Sequence, residues 1–275
     1  MLVVYFTGKI EKAALIALLF LFCINIAAAG PAKPSAAKPS SLQPYSTNTL
    51  HLALAAETAY YQEFDQTGQQ FNEEKGLIPN LSLIHFTPIT QTTSLVLELG
   101  LSHGYVTYTG QLQNGKPYNT VSRMTLKEGA LYFRHQLYSG FSFALGYGAA
   151  EWDRHILSRG NIKTLSEFYD WQRIIFITDY RNEDARYTLT LERLINAGLD
   201  VDLRPWNRNM TRVAMPDGLE LGSRVDLFHK KNWYSFIDLS FRHFDRGPAS
   251  IDGTSSFTEP ENLFVQFKLG IGRSF

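Results

Sequence analysis

Cysteine is almost absent from this chain of 275 residues. The one thiol, Cys23, lies in an apolar stretch near the amino end. Removal of that stretch would leave no disulfide framework, no thiolate nucleophile and no cysteine ligand. An excess of one charge is lacking too. The 26 basic residues equal the 26 acidic ones, so nothing points to nucleic acid. Past residue 30, no apolar run approaches the ~18 residues that mark a transmembrane helix. The 7 histidines are scattered with no HxxxH pair, and no glycine-rich phosphate loop joins a strand to a helix. Neither a cofactor nor a metal is expected.

What is present begins at the amino end. Lys9 and Lys12 precede an apolar run from Ala13 to Ile26, and Ala27-Ala28-Ala29-Gly30 follows. Positive, apolar and small residues in that order predict a secretory signal peptide over 1–29, cleaved after Ala29. Phe22 is too bulky to precede a lipidated cysteine, so Cys23 would leave with the signal. Residues 30–47 are a Pro/Ser/Ala/Lys linker without apolar periodicity, read as a periplasmic tether.

From residue 48 onward the pattern has period two. The last thirteen residues show it best: Leu263, Val265, Phe267, Leu269, Ile271, Arg273 and Phe275 alternate with mostly small or polar neighbours. Similar alternation marks 93–107, 141–150, 187–201 and 233–241. Weaker segments start at Leu50 and fill 77–87 (broken by Pro79), 119–137, 168–181 and 218–229. Residues Lys127-Glu128-Gly129 suggest a phase change and hence a β-bulge. Ile174 to Ile177 are apolar on both faces, which leaves 168–181 ambiguous. Short connections (88–92, 138–140, 181–185, 230–232) alternate with long ones (65–76, 109–118, 153–166, 202–217, 245–259). Aromatic residues sit toward strand ends. Tyr138, Phe141, Tyr180, Tyr187 and Trp233 suggest one girdle; Phe64, Tyr108, Trp152, Phe168, Trp171 and Phe244 suggest the other.

A terminal period-two strand that stops on an aromatic resembles the closing strand of bacterial outer-membrane β-barrels. The resemblance covers roughly 48–275 and implies an all-β fold: a transmembrane, antiparallel, up-and-down barrel. It implies that Phe267, Leu269, Ile271 and Phe275 form an assembly signal read by the outer-membrane assembly machinery. It also implies the bacterial outer membrane as location, with its lipids and lipopolysaccharide as partners. Ten strands satisfy the even count that returns both termini to the periplasm; eight or twelve follow if a weak segment is misread. Phe275 would lie beside Leu50, where the barrel closes.

On these phases Glu57, Glu98, Arg134, Glu192, Arg224, Asp226, Asp238, Arg242 and Lys268 point into the lumen. Charges away from bulk water must pair or stay wetted. The set therefore suggests either an ion-pair network that fills a structural barrel or a narrow passive pore of mixed charge. An outer-membrane hydrolase with a site at the outer rim is an alternative. Asp65, Asp153, His155, His243 and Asp245 lie near outer strand ends, and Ser102-His103 and Ser240/His243 supply serine and histidine. No stretch matches a protease or lipase motif, so no catalytic residue is assigned. The acidic stretch 63–76, with Asp65, Glu73 and Glu74, reads as a solvated hairpin or as a place for divalent cations or a partner. A surface adhesion or partner-binding barrel is the third reading. The sequence leaves the oligomeric state open.

Overall fold

The structure, a computed structural model, describes residues 48–275 apart from 112–114, 139, 207–209, 248–249, 253–254 and 258. The signal peptide and linker expected over 1–47 lie outside the described residues. Seven long strands come first: β1 (Thr49–Phe64), β2 (Gln70–Pro88), β3 (Thr93–Gln111), β4 (Pro117–Tyr138), β5 (Phe141–Ile156), β6 (Leu165–Arg181) and β7 (Ala185–Asp202). The short β8 (Met210–Ala214) precedes β9 (Gly218–Phe228) and β10 (Trp233–Phe244). A small hairpin, β11 (Ser250–Asp252) and β12 (Ser255–Phe257), leads to the last strand, β13 (Glu261–Ser274).

Each long strand pairs antiparallel with its sequence neighbour, and β13 returns to pair with β1. Leu50 and Phe275 exchange backbone hydrogen bonds of 3.2 and 2.8 Å at that seam. The result is a closed barrel of 10 strands with one extra strand. The extra strand is β8. It lies end to end with β9 along β7, in one register, with Met215, Pro216 and Asp217 between them. The tight turns lie at the end where Leu50 meets Phe275, which marks that end as periplasmic.

Around the periplasmic part of the barrel, outward positions are apolar and exposed. Leu54 is 62% accessible, Leu145 58% and Ile271 57%, and Leu99, Phe133, Phe176 and Ile237 continue the ring. Such a belt of exposed large aliphatic and aromatic side chains would be untenable in water and is the lipid face of a membrane barrel. Ile174 and Phe176 face out while Ile175 is buried, which resolves the ambiguous segment as one strand.

Farther out the polarity of the wall inverts. Outward positions become Lys127, Glu151, Asp153, Asp170, Arg193 and Asp217, joined in pairs across strands. Inward positions become large and apolar: Tyr61, Met124, Leu126, Trp152, Trp171 and Phe264 are all buried. The strands leave the bilayer here and continue as a soluble sheet packed on its own interior. This inversion corrects several expectations. No bulge exists at Lys127-Glu128-Gly129, where β4 keeps one register with both neighbours. The apparent phase change is the membrane edge, and Glu128 faces inward. Tyr108, Trp152, Trp171 and Phe244 are buried inside rather than forming an outer girdle. The first outer connection is only a turn at 65–69, and β2 runs unbroken through Pro79. Its ladder to β3 lapses between Lys75 and Asn80, where the proline has no N–H to give.

A true bulge lies elsewhere. Between Asp170 and Gln172 the β6–β7 register shifts by one, with Asn196 at φ 51°. Leu199 is therefore buried and Val201 packs beside it, although strict alternation counted from Tyr187 through 201 puts both on the face of Leu189 and Leu191. Asp200 points out to Arg212.

Candidate functional site

The lumen is filled in three tiers. The lowest lies at membrane level and holds the charges picked from alternation. Asp226, fully buried, accepts from Arg186 at 2.8 Å and Arg224 at 2.8 Å. Asp238 is 4.0 Å from Arg224. Arg134 donates to Asp179 at 3.0 Å and Ser142 at 2.8 Å. Arg242 bridges Glu220 at 2.6 Å and Glu128 at 2.7 Å. Arg173 meets Glu192 at 3.2 Å and Glu128 at 3.7 Å. Glu57 accepts from Ser102 at 2.6 Å and lies 3.8 Å from Lys268. Glu98 accepts from the Tyr132 hydroxyl at 3.2 Å. Each wall thus lends charges that meet partners from other walls. A cavity of about 140 Å³ remains among Glu98, Glu128, Arg173, Glu192, Asp238 and Lys268.

Above it sits an aromatic layer. Trp152 stacks on Tyr169 (ring centroids 4.7 Å) and Phe264 (5.3 Å), and Tyr61 meets Trp152 edge-on at 4.9 Å. Trp171 meets Phe244 at 5.7 Å. Two guanidinium groups bracket the layer. Arg242 lies 4.6 Å from the Trp171 ring and Arg154 lies 4.7 Å from the Tyr61 ring. Both contacts are within cation–π range. None of these rings lines the charged cavity.

The outermost tier is built on Arg154, which is 1% exposed. It donates to Glu74 and Glu63 at 2.7 Å each and to Glu167 at 2.6 Å. The Tyr61 hydroxyl donates to Glu63 at 2.9 Å, and the Tyr108 hydroxyl donates at 2.8 Å to Asn72, which itself reaches Glu63. Tyr169 lies 3.3 Å from Glu167 and 3.2 Å from Glu259. Among the described residues, one cation here faces four carboxylates. Burial pushes the Glu74 carboxyl up to about 7 against the pull of Arg154. Burial likewise raises Glu167, and raises Glu259 well above the usual range.

Of this tier the sequence points only to Glu74, expected in a solvated hairpin, and Tyr108, expected in a girdle; both are instead buried. The rim residues that were singled out face outward. Asp153 lies 3.6 Å from Lys127, the His155 ring nitrogen lies 2.8 Å from the Ser166 hydroxyl, and His243 lies 3.1 Å from Glu261. Ser102 is inside, bound to Glu57 and Asn80, while His103 is outside against Thr125 at 2.8 Å. Ser240 is also inside, on Gln266 at 3.3 Å. No serine–histidine pair forms from them. Among the described residues no group of three or more His, Cys, Asp or Glu is arranged to hold a metal ion. At the closing strand, Phe267, Leu269, Ile271 and Phe275 are exposed on the outer face.

The sequence matches no family model and no curated protein. Among solved structures, the outer membrane protease OmpT of Escherichia coli aligns with TM-score 0.50 and 9% identity, over 84% of this chain and 97% of that one. The translocator domain of the autotransporter NalP from Neisseria meningitidis gives TM-score 0.45 and 10% identity, over 96% and 98%. An outer membrane channel from Pseudomonas putida F1 gives TM-score 0.44 and 8% identity, over 87% and 100%. At such identity the likeness speaks of fold alone. The closed antiparallel barrel with its lipid-facing belt is that of a bacterial outer-membrane β-barrel protein.

Proposed function

We propose that this protein is an exported outer-membrane barrel that passes no solute and serves as a rigid, sealed platform for the strand extensions and connections it raises above the membrane. The observation that carries this reading is the aromatic layer of Tyr61, Trp152, Tyr169, Trp171 and Phe264, held between Arg154 and Arg242. A conducting lumen needs a continuous wetted path, and a packed ring layer interrupts one. The ion pairs beneath it support a structural role, because each buried charge has a partner on another strand.

On this reading the signal peptide over 1–29 directs export and is cleaved, and 30–47 is a periplasmic linker. The exposed Phe267, Leu269, Ile271 and Phe275 present the closing strand to the assembly machinery. Lys75, Arg123 and Lys127, on outward positions near the polarity inversion, face lipopolysaccharide phosphates. Planar-bilayer recording of purified, refolded protein at pH 6 tests the central claim. A silent membrane is expected. Stepwise currents would overturn it in favour of a narrow pore of mixed charge.

A further inference from the structure

The outermost tier contains a hydrogen-bond pattern that does not close with the protons its residues ordinarily carry. The Tyr169 oxygen lies 3.3 Å from a Glu167 oxygen and 3.2 Å from a Glu259 oxygen. A hydroxyl has one hydrogen and donates once. The second contact needs a proton on a carboxyl group. Two orphans stand in the same cluster: Glu74 Oε2 and Arg154 Nη2 are buried and without a hydrogen-bond partner. Four carboxylates here face a single guanidinium, and buried charge without a partner is expensive.

Among the described residues, the groups around the cluster offer no further cation. From β1 come Tyr61 and Glu63, and from β2 come Asn72 and Glu74. β3 gives Tyr108, with the Tyr118 ring of β4 behind it. β5 gives Arg154 itself, β6 gives Glu167 and Tyr169, and Asn262 of β13 donates to Glu259 at 3.3 Å. Arg246 is spent at the rim on the Phe64 carbonyl. Of the four carboxylates, Glu259 alone lies outside a strand. It belongs to the connection from β10 to β13, and its carbonyl accepts from Gly247 at 2.9 Å.

We propose that Glu167 and Glu259 share a proton through Tyr169, and that this proton fastens Glu259, and with it Gly247, to the outermost tier of the barrel, so that alkaline external medium releases them. The mouth faces the medium, so the proton exchanges with the outside. Its loss leaves two carboxylates facing one hydroxyl, and Glu259, the one of the four carboxylates outside a strand, moves away. The raised affinity of Glu167, Glu259 and Glu74 for protons agrees with this.

Limited proteolysis tests the proposal on refolded, full-length barrel. Trypsin cleavage after Arg246 is timed at pH 6.5 and pH 9 and normalised to an unstructured peptide. The expected result is a rise of about tenfold at the higher pH, as a local opening equilibrium shifts. Glu259→Gln, whose amide can donate without a titrating proton, should hold the rate flat across the range, and Glu167→Gln should do the same. Heat-modifiable gel migration confirms that each variant is folded; if one is not, the other decides. Equal wild-type cleavage at both values, or the same rise in a folded glutamine variant, would overturn the proposal. Difference infrared spectroscopy gives an independent reading: a protonated-carboxyl band at pH 6.5 that disappears by pH 9, and that Glu259→Gln diminishes. Absence of any such band at pH 6.5 would also overturn it. Bilayer conductance plays no part in these readouts, so this inference and the sealed-platform reading stand or fall separately.

Discussion

Arg154 is the residue on which most of the outer half depends. It holds carboxylates from three strands, and its own burial is tolerable only because of them. Arg154→Leu fits the apolar surroundings but strands four carboxylates. Removing one partner of a buried ion pair costs about 3–5 kcal/mol. We expect a loss of that order in urea unfolding of the refolded barrel at pH 8, and a smaller loss at pH 5, where the abandoned carboxylates take up protons. A defect equal at both values would contradict the assignment. Glu74 gives a second check of sign. Its folded-state carboxyl titrates near 7, above an unfolded value near 4.5. A group with a raised folded value contributes stability fully below its unfolded value, and the contribution fades as pH rises through the folded value. Wild type should therefore lose stability relative to Glu74→Gln between about pH 4.5 and 7, read as a narrowing or reversal of their difference in urea midpoint. None of this was legible from residue types. At the outer end of β5, Asp153 and His155 stand out by type alone, because aspartate and histidine are the usual catalytic residues. The residue between them, of opposite parity, carries the burial. Parity with the lipid-facing Leu145 and Tyr147 was the available signal: it puts Trp152 and Arg154 together on the inner face.

At the scale of the element, alternation reads well wherever one face meets lipid, because lipid imposes a single rule on every outward position. It fails where the strand leaves the bilayer. The rule then reverses, and a reversed rule on an unbroken strand mimics a one-residue slip; that is how Lys127-Glu128-Gly129 came to look like a bulge. The real bulge at Asn196 left almost no trace, since one extra residue between apolar stretches keeps both apolar. Its cue is an asparagine within a strand, a residue that tolerates positive φ better than most. Asn196 Nδ2 also donates to Gln172 at 2.5 Å. Asn196→Gly should be close to neutral, because glycine accepts φ 51° freely. Asn196→Val should cost about 1–3 kcal/mol, since a β-branched residue is strained there. Equal urea midpoints for the two variants would show that the bulge does not depend on backbone conformation. On β13, Gly270 has a different duty. A Cβ there would come within 2.3 Å of the Phe236 ring, which lies across it. Gly270→Leu should reduce the yield of folded, heat-modifiable barrel, while Leu269→Val, on the lipid face, should leave it unchanged.

For the whole molecule, the barrel was legible from strand number, loop asymmetry and the closing strand, because membrane insertion requires a closed sheet. The plug was not. Trp152 and Trp171 come from the neighbouring strands β5 and β6 and Phe264 from β13, far away in sequence, and nothing in any one strand says that their side chains share one cluster. Read singly, Trp152 and Trp171 resemble an interfacial girdle, which uses the same residue types at nearly the same height. Their meeting decides whether the lumen is a path or a wall. Beneath them a charged cavity of about 140 Å³ has room for water. Above them the Arg154 tier is polar. The ring layer is the dry section between two wettable ones, so opening it should convert a silent barrel into a conducting one. Trp152→Ala with Trp171→Ala removes two rings that contact Tyr61, Tyr169, Phe244 and Phe264. Each truncation costs about 3–5 kcal/mol if the site does not collapse, so folding is to be verified first by gel mobility. In planar bilayers the folded double variant should show small unitary currents that wild type lacks. The single replacement Leu99→Ala, on the lipid face, should stay silent. If the folded double variant is as silent as wild type, the seal lies in the ion-pair lattice below, and removal of Arg242 by Arg242→Met would be the change that opens it.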